Sequence, residues 1–167
     1  MSEHAVRQVP SAPKAMGGFA VFLAAVVAVA GLGGLAVTSA GAEYAQLTQP
    51  SWAPPASVFG PVWTVLYLMI AVSGWLVWRQ AGLQGARNAL MLYAVQLLLN
   101  ALWTPLFFGG DLYAVAFVDI VALWLTLVAT IVLFARHHRV AAVLLLPYLA
   151  WVTFAAALNF SIWQLNA

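Results

Sequence analysis

Apolar residues form five long runs along the chain, and short polar connections separate them. Each run is about 20 residues long or slightly longer, the length that an α-helix needs to cross a hydrocarbon core of roughly 30 Å. The runs do not show the alternation of apolar and polar positions that is typical of barrel strands. The pattern predicts an all-α membrane protein, a bundle of five transmembrane helices at roughly 17–37, 57–78, 86–108, 112–135 and 140–163.

Two segments lie outside these spans. Residues 1–16 are polar and are expected to form a disordered tail before a single transmembrane domain at 17–166. The longest connection, residues 38–56, contains Pro50, Pro54 and Pro55, which neither donate a backbone hydrogen bond nor continue a helix interior. We therefore expect a stiff, irregular loop that covers one end of the bundle and acts as a lid.

The basic residues predict the orientation of the bundle. When the chain crosses the membrane five times, the amino-terminal tail and the connections after the second and fourth spans share one side. By the positive-inside rule, the side that is richer in Lys and Arg is cytoplasmic. The amino terminus is thus predicted to be cytoplasmic and the carboxyl terminus to lie outside. The segments on the predicted inner side contain every basic residue of the chain: Arg7, Lys14, Arg79, Arg87, Arg136 and Arg139.

Composition restricts the function classes further. The chain is 65% hydrophobic and 6% charged, with a mean hydropathy of +0.99, and a soluble fold of this size has too little interior to bury so much apolar surface. Membrane lipid is therefore an expected partner, and nucleic acid is not. The sequence has no cysteine, which excludes disulfides and thiolate chemistry. His137 and His138 lie in a basic turn, and no metal site is predicted.

Polar and aromatic residues of four spans are predicted to meet at one depth below the 38–56 loop. A carboxylate in hydrocarbon costs on the order of 2.5–3.5 kcal/mol, so Asp119 is expected to face the bundle and to bond with Asn100, Asn159 or Tyr67. The open alternatives are hydrogen bonds that only hold helices together and a tryptophan belt at the interface. The candidate ligand-binding residues are Trp52, Trp63, Tyr67, Asn100, Trp103, Phe107, Asp119, Trp151, Ala155 and Asn159.

Two further features concern helix packing. Pro147 lacks a backbone N–H and disturbs the carbonyl four residues earlier, which predicts a kink in the fifth span. Ala20, Ala24 and Ala28 recur every fourth residue of the first span. Small residues at this spacing allow close helix contact in lipid. The contact is either between two copies of the chain or within one copy.

Four motifs resemble those of the translocator protein family, which is also called the tryptophan-rich sensory or peripheral-type benzodiazepine receptor group. The resemblance covers about residues 17–166, with the motifs in the family's order. It implies a five-helix bundle, commonly a homodimer, with a ligand pocket under the first loop. The motifs are P-S-W-A-P-P (Pro50–Pro55), P-V-W-T-V-L-Y (Pro61–Tyr67), N-A-L-W-T-P-L-F-F (Asn100–Phe108) and P-Y-L-A-W-V-T-F-A-A-A-L-N (Pro147–Asn159).

The resemblance also implies a function. Family ligands are porphyrins such as protoporphyrin IX, isoquinoline carboxamides, benzodiazepines and, in animal members, sterols. The expected function is that of a tetrapyrrole-binding sensor or carrier, with porphyrin as a ligand and no cofactor required. Some bacterial members are reported to degrade protoporphyrin in light with two pocket tryptophans. By motif these fall on Trp63 and Trp151, the catalytic residues in that alternative. The position linked to ligand affinity in animal members falls on Ala155.

One departure from the family pattern bears on the ligand. Animal members carry a sterol-recognition pattern in the fifth span that needs Tyr and then Arg or Lys, whereas Phe160 and Gln164 stand here. Specific cholesterol binding is therefore not expected, and a bacterial cell membrane is the expected location. A transporter is the less favoured function, because the sequence has no inverted repeat.

Overall fold

Five long apolar helices dominate the computed structural model, which describes residues 12–36 and 40–166. This confirms the predicted all-α bundle, and the described part of the chain contains no strand. Because each of the five helices is long and apolar enough to cross a membrane, the bundle is an integral, multi-pass membrane protein. The helices able to cross a membrane are Pro13–Gly33, Ala56–Gly85, Arg87–Gly109, Tyr113–His137 and Arg139–Asn166.

Shorter elements extend or interrupt these spans. A single 3₁₀ turn at Ala56–Val58 precedes the second span, and a π-helical turn at Pro105–Gly109 ends the third. In chain order the α-helices are α1 (Ala12–Ala36), α2 (Ala40–Gln46), α3 (Phe59–Gly85), α4 (Arg87–Thr104), α5 (Tyr113–His137), α6 (Arg139–Leu144) and α7 (Leu146–Asn166).

The two segments outside the spans differ from their prediction. Helix α1 begins at Ala12, inside the expected disordered tail, because Pro13 is tolerated in a first turn and alanine, lysine and methionine are good helix formers. Residues 1–11 lie outside the described part of the chain. Residues 38 and 39 of the predicted lid lie outside it too, and the described remainder, 40–56, is only partly irregular. It contains α2, whose sequence A-G-A-E-Y-A-Q lacks proline and has Glu43 in the first turn, where a negative charge is favourable.

Two breaks bend the longer spans. The fifth span is interrupted at Leu145, two residues before Pro147, as the missing proline N–H predicts. In α3, Gly82 has φ 69° and ψ 177° and interrupts the helix beyond Trp78, where the second span was predicted to end. A positive φ is easily adopted by glycine because it has no Cβ.

The core lies where α5 meets its neighbours. Leu123 and Leu127 of α5 are fully buried, and Phe134 near its end stacks on Tyr93 of α4 with ring centroids 5.8 Å apart. Helices α1, α3 and α4 approach closely at Gly74, where an added Cβ would lie 2.7 Å from Tyr93 Cζ and 2.8 Å from Phe22 Cδ1. Packing of this density fixes the helices that carry the candidate site.

The alanine repeat of α1 does not contribute to this packing. Ala20, Ala24 and Ala28 are exposed, so they are not packed against other helices of the same chain. The homodimer stays a prediction.

Successive spans run in opposite directions, and as a result the basic residues lie at one end of the bundle and the acidic residues of the connections at the other. The start of α1 lies beside the second half of α3, where Trp75 Nε1 donates to the Ala15 carbonyl at 2.8 Å. Glu43 and Asp111 lie at the opposite end of the bundle. The separation is the one that the sequence predicts, and the cytoplasmic position of the amino terminus stays a prediction. The described basic residues are Lys14, Arg79, Arg87, Arg136 and Arg139.

Candidate functional site

A cavity of about 350 Å³ lies at the acidic end of the bundle, between helices α2, α3, α4 and α7. We call residues 40–58, which run over this end, the lid. Most of the lining side chains are aromatic or aliphatic. The lining residues in the described part of the chain are Ala40, Gly41, Tyr44, Ala56, Phe59, Gly60, Trp63, Trp103, Thr104, Phe107, Phe108, Ala155, Leu158, Asn159 and Ile162.

The structure brings half of the ten candidate ligand-binding residues onto this wall. The five that line the cavity are Trp63, Trp103, Phe107, Ala155 and Asn159. The five that do not line it are Trp52, Tyr67, Asn100, Asp119 and Trp151. The cavity lies below the lid, at the level where the sequence places the convergence of polar and aromatic residues.

The π-helical turn at the end of α4 supplies one aromatic side of the cavity. Phe107 stacks on Trp103 with ring centroids 4.9 Å apart and an angle of 25° between the planes. Phe108 meets the edge of Phe107 at 4.8 Å. Wider π-helical turns are common at functional sites, and this one carries two consecutive aromatic residues that both line the cavity.

A pair of hydrogen bonds fixes the polar part of the wall. Trp103 Nε1 donates to Asn159 Oδ1 at 3.0 Å, and Asn159 Nδ2 donates to the Tyr113 carbonyl at 3.0 Å. The asparagine is 1% exposed, and its amide bonds to protein groups that join α7 to the end of α4 and the start of α5. The tryptophan ring is thereby held in one orientation.

A second hydrogen-bond network supports Trp63 on the side away from the lid. The Tyr67 hydroxyl donates to Asn100 Oδ1 at 2.9 Å, and Asn100 Nδ2 donates to the Tyr148 hydroxyl at 3.0 Å. Trp63 stacks on Tyr67 at 5.1 Å and meets the edge of Tyr148 at 6.0 Å. Tyr67 and Asn100 thus support the wall without lining it.

The predicted partners of Asp119 are wrong. Its side chain is 9% exposed, as a carboxyl that faces the bundle should be, but Oδ2 has no hydrogen-bond partner among the described residues. Asn100 bonds the two tyrosines instead, and Asn159 bonds Trp103 and the Tyr113 carbonyl. The two asparagine amides bond to other groups, and the sequence does not show in which direction these side chains point.

The two other tryptophans of the candidate set lie beside the cavity. Trp52 of the lid is 48% exposed and meets the edge of Phe154 at 5.7 Å. Trp151 packs against Phe59, a lining residue, at 5.7 Å. Its indole Nε1 is buried without a partner in the described part of the chain. Of the two predicted catalytic tryptophans, only Trp63 lines the cavity.

Side-chain contacts hold the lid against the bundle. The Tyr44 hydroxyl donates to the Pro54 carbonyl at 3.0 Å, and the ring meets Phe59 at 5.2 Å. Burial raises the pKa of the Tyr44 hydroxyl above its ordinary value of 10.0. At the end of α7, the Asn166 amide bonds to the main chain of Thr48. Hydrogen bonds thus connect the two halves of the lid to each other and connect the lid to the last helix.

Sequence reasoning missed several lining residues. Phe59 lies four residues before Trp63, on the same helix face, and this spacing could have revealed it. Phe108 lies four residues after Thr104, on the same broad helix face, and this spacing could have revealed it as well. Thr104 lies four residues after the candidate residue Asn100, so the same spacing could have revealed it. Tyr44 belongs to no periodic pattern that points to the cavity.

These features define a class of protein: an integral membrane bundle of five helices with an aromatic cavity under a proline-containing lid. Comparison with known sequences gives the family. The TspO/MBR family model matches residues 20–164. Since this match covers most of the sequence, the chain belongs to the TspO/MBR family.

The chain is also similar to individual members. Protein CrtK of Rhodobacter capsulatus is 42% identical over 152 residues, which cover 89% of this chain and 92% of that protein. Tryptophan-rich protein TspO of Chlorobaculum tepidum is 43% identical over 127 residues, which cover 74% of this chain and 78% of that protein. The human translocator protein is 42% identical over 125 residues, which cover 74% of both chains.

Proposed function

We propose that this protein binds a flat, apolar tetrapyrrole such as protoporphyrin IX in its cavity and acts as a sensor or carrier in a bacterial cell membrane. The observation that carries the proposal is the set of aromatic faces on the wall, supplied by Trp63, Trp103 and Phe107. Offset stacking contributes about 0.5–1.5 kcal/mol per aromatic pair beyond the area that is buried. A flat macrocycle can use several such faces at once.

The charges around the cavity restrict the kind of ligand. Among the described lining residues there is no Lys or Arg, so a ligand's carboxylates find no ion pair within the cavity. Burying an unpaired charge is costly. The ligand's charged groups are therefore expected to point towards the lid and water, while its apolar ring system occupies the cavity. This arrangement favours modest affinity and broad selectivity for flat apolar molecules.

The names of relatives support either sensing or carriage. A relative from Cereibacter sphaeroides that is 40% identical over 148 residues is called a tryptophan-rich sensory protein. The sheep relative, 42% identical over 125 residues, is called a translocator protein. Both roles need a ligand site of the kind described above.

A second candidate function is the light-dependent breakdown of protoporphyrin. The favouring observation is that Trp63 lines the cavity and stacks on Tyr67 at 5.1 Å. Trp151, the other tryptophan of this alternative, contacts the wall residue Phe59 and does not line the cavity. Binding without breakdown therefore fits the site better.

Both candidates are tested by titrating protoporphyrin IX into purified, detergent-solubilised protein. Tryptophan fluorescence is followed in the dark, and the porphyrin absorbance is then followed under light. The variants are Trp63→Phe, which changes the wall, and Trp124→Phe, a matched control. Trp124 lies on the outer surface of α5, where its indole bonds Thr153.

Saturable binding in the dark that is weakened in Trp63→Phe and unchanged in Trp124→Phe supports the binding function. Absorbance loss in light that requires Trp63, and that exceeds the loss with the control variant, would instead support the enzyme. A signal that rises linearly with porphyrin, without saturation, would overturn both.

A further inference from the structure

The hydroxyl of Thr104 on the cavity wall has no hydrogen-bond partner in the described part of the chain. This is unusual for a threonine in a membrane span, since the hydroxyl usually returns to the carbonyl four residues earlier. The other four threonines of the described spans do so. Thr64, Thr126, Thr130 and Thr153 donate to the carbonyls of Gly60, Ala122, Thr126 and Leu149 at 2.8–2.9 Å.

The other oxygen-bearing side chains of the wall are already bonded. Tyr44 donates its hydroxyl to the Pro54 carbonyl. Asn159 accepts from Trp103 and donates to the Tyr113 carbonyl. Thr104 is therefore the described lining residue with an unused hydroxyl.

Local structure explains why this hydroxyl is available. Thr104 is the last residue of α4 and immediately precedes Pro105, where the π-helical turn begins. The hydroxyl lies on the side of Thr104 that faces helix α1, since a Cβ added at Gly33 would lie 3.3 Å from Thr104 Oγ1 and 3.6 Å from Thr104 Cβ. Thr104 also lines the cavity. The side chain is thus held between α1 and the cavity.

A hydroxyl without a partner in apolar surroundings is unfavourable, and a bound molecule that supplies an acceptor removes this cost. Thr104 lies near the lid end of α4, the end towards which the polar edge of a bound macrocycle is expected to point. It can donate one hydrogen bond and accept others. A ligand oxygen at this edge would therefore meet a donor that the protein itself does not use.

We propose that the Thr104 hydroxyl donates a hydrogen bond to a carboxylate or carbonyl oxygen at the edge of the bound molecule. It thereby selects flat ligands that carry such an acceptor over flat hydrocarbons. The inference rests on the proposed porphyrin-binding function and adds a specificity-determining residue to it.

The test compares two porphyrins and three variants. Protoporphyrin IX carries carboxylates, whereas etioporphyrin has the same ring with only alkyl substituents. Thr104→Val removes the hydroxyl with little change in shape, and Thr104→Ser retains it. Thr126→Val makes the same chemical change at a hydroxyl that bonds only within α5. Dissociation constants are measured in the dark by tryptophan quenching, and thermal unfolding checks that each variant is folded.

We expect Thr104→Val to weaken protoporphyrin binding by about tenfold and to leave etioporphyrin binding unchanged. Thr104→Ser and Thr126→Val should bind both porphyrins like the wild type. An equal effect of Thr104→Val on the two porphyrins, or no effect on either, would overturn the role of Thr104 while leaving the porphyrin site intact. Wild-type protein that binds neither porphyrin saturably would overturn the proposed function, and this inference with it.

Discussion

Asn166 at the end of α7 and Thr48 in the lid are joined by two hydrogen bonds. Asn166 Nδ2 donates to the Thr48 carbonyl at 2.9 Å, and the Thr48 N–H donates to Asn166 Oδ1 at 3.0 Å. One amide therefore satisfies both main-chain groups of a residue 118 positions away in the sequence. The pair holds the lid over the cavity at its carboxyl-terminal side.

Replacing Asn166 with alanine should loosen the lid. Each hydrogen bond contributes about 0.5–1.5 kcal/mol, so we expect ligand dissociation to become roughly tenfold faster in Asn166→Ala. The Thr48 amide should also exchange faster with deuterium. Stopped-flow dissociation and hydrogen exchange measure the two effects. Gln164→Ala is the control on the same helix, and equal rates in the two variants would contradict the role of Asn166.

The Asn159 amide is expected to stabilise the bundle. Asn159→Leu has a similar size but leaves the Trp103 indole N–H without a partner and removes one donor to the Tyr113 carbonyl. Leaving buried polar groups unpaired costs about 1–3 kcal/mol, which thermal unfolding in detergent should reveal as a lower Tm. Ser161→Ala is the control, because this exposed hydroxyl bonds only to the carbonyl of Ala157 in its own helix. A Tm unaffected by the leucine would show that the pair contributes no stability.

Helix packing predicts opposite outcomes for two glycines. In Gly74→Ala the new Cβ would lie 2.7 Å from Tyr93 Cζ and 2.8 Å from Phe22 Cδ1. Overpacking of this kind costs about 1–3 kcal/mol, so the Tm should fall. Gly17→Ala meets nothing within 4 Å, and its Tm should be unchanged or slightly higher because alanine favours a helix. Similar Tm values for both variants would contradict the close approach of α1, α3 and α4.

The lid should respond to high pH through Tyr44. Burial raises the pKa of its hydroxyl above 10.0, so the folded lid favours the neutral form. The contribution of Tyr44 to lid stability is therefore fully present below pH 10 and is lost as the pH rises through the raised pKa. We expect ligand dissociation to accelerate above pH 10 in the wild type. Tyr44→Phe should dissociate faster at all pH values without this dependence, and the same pH profile in both would exclude Tyr44 as the cause.

Much of the fold could be predicted because the spans and their breaks depend on local features of the sequence. Run length predicts the spans, and Pro147 predicts the break that occurs at Leu145, because a proline lacks an N–H in any surroundings. The lid was predicted less well. Its prolines lie only in the second half, and the preceding A-G-A-E-Y-A-Q segment forms α2.

For the candidate site, the sequence could predict only the depth in the membrane at which its residues lie. Depth along a span places Trp63, Trp103 and Asn159 together, and all three line the cavity. It does not give the rotation of each helix or the side-chain directions. For this reason the partners of Asp119 were wrong, and Trp151 lies beside the cavity at the predicted level. Pairs such as Asn166 and Thr48 join distant segments and have no signal in a single sequence.

The most direct test of the porphyrin-binding cavity is a dark titration of protoporphyrin IX into three proteins: the wild type, Ala155→Thr and Ala157→Thr. Ala155 lines the cavity, whereas Ala157 lines a groove on the outer surface between α5 and α7. The added atoms of threonine therefore reduce the cavity only in Ala155→Thr. We expect saturable binding that is weakened about tenfold in Ala155→Thr and unchanged in Ala157→Thr. Equal binding by all three proteins, or weakening only in Ala157→Thr, would place the ligand outside the cavity and contradict the proposal.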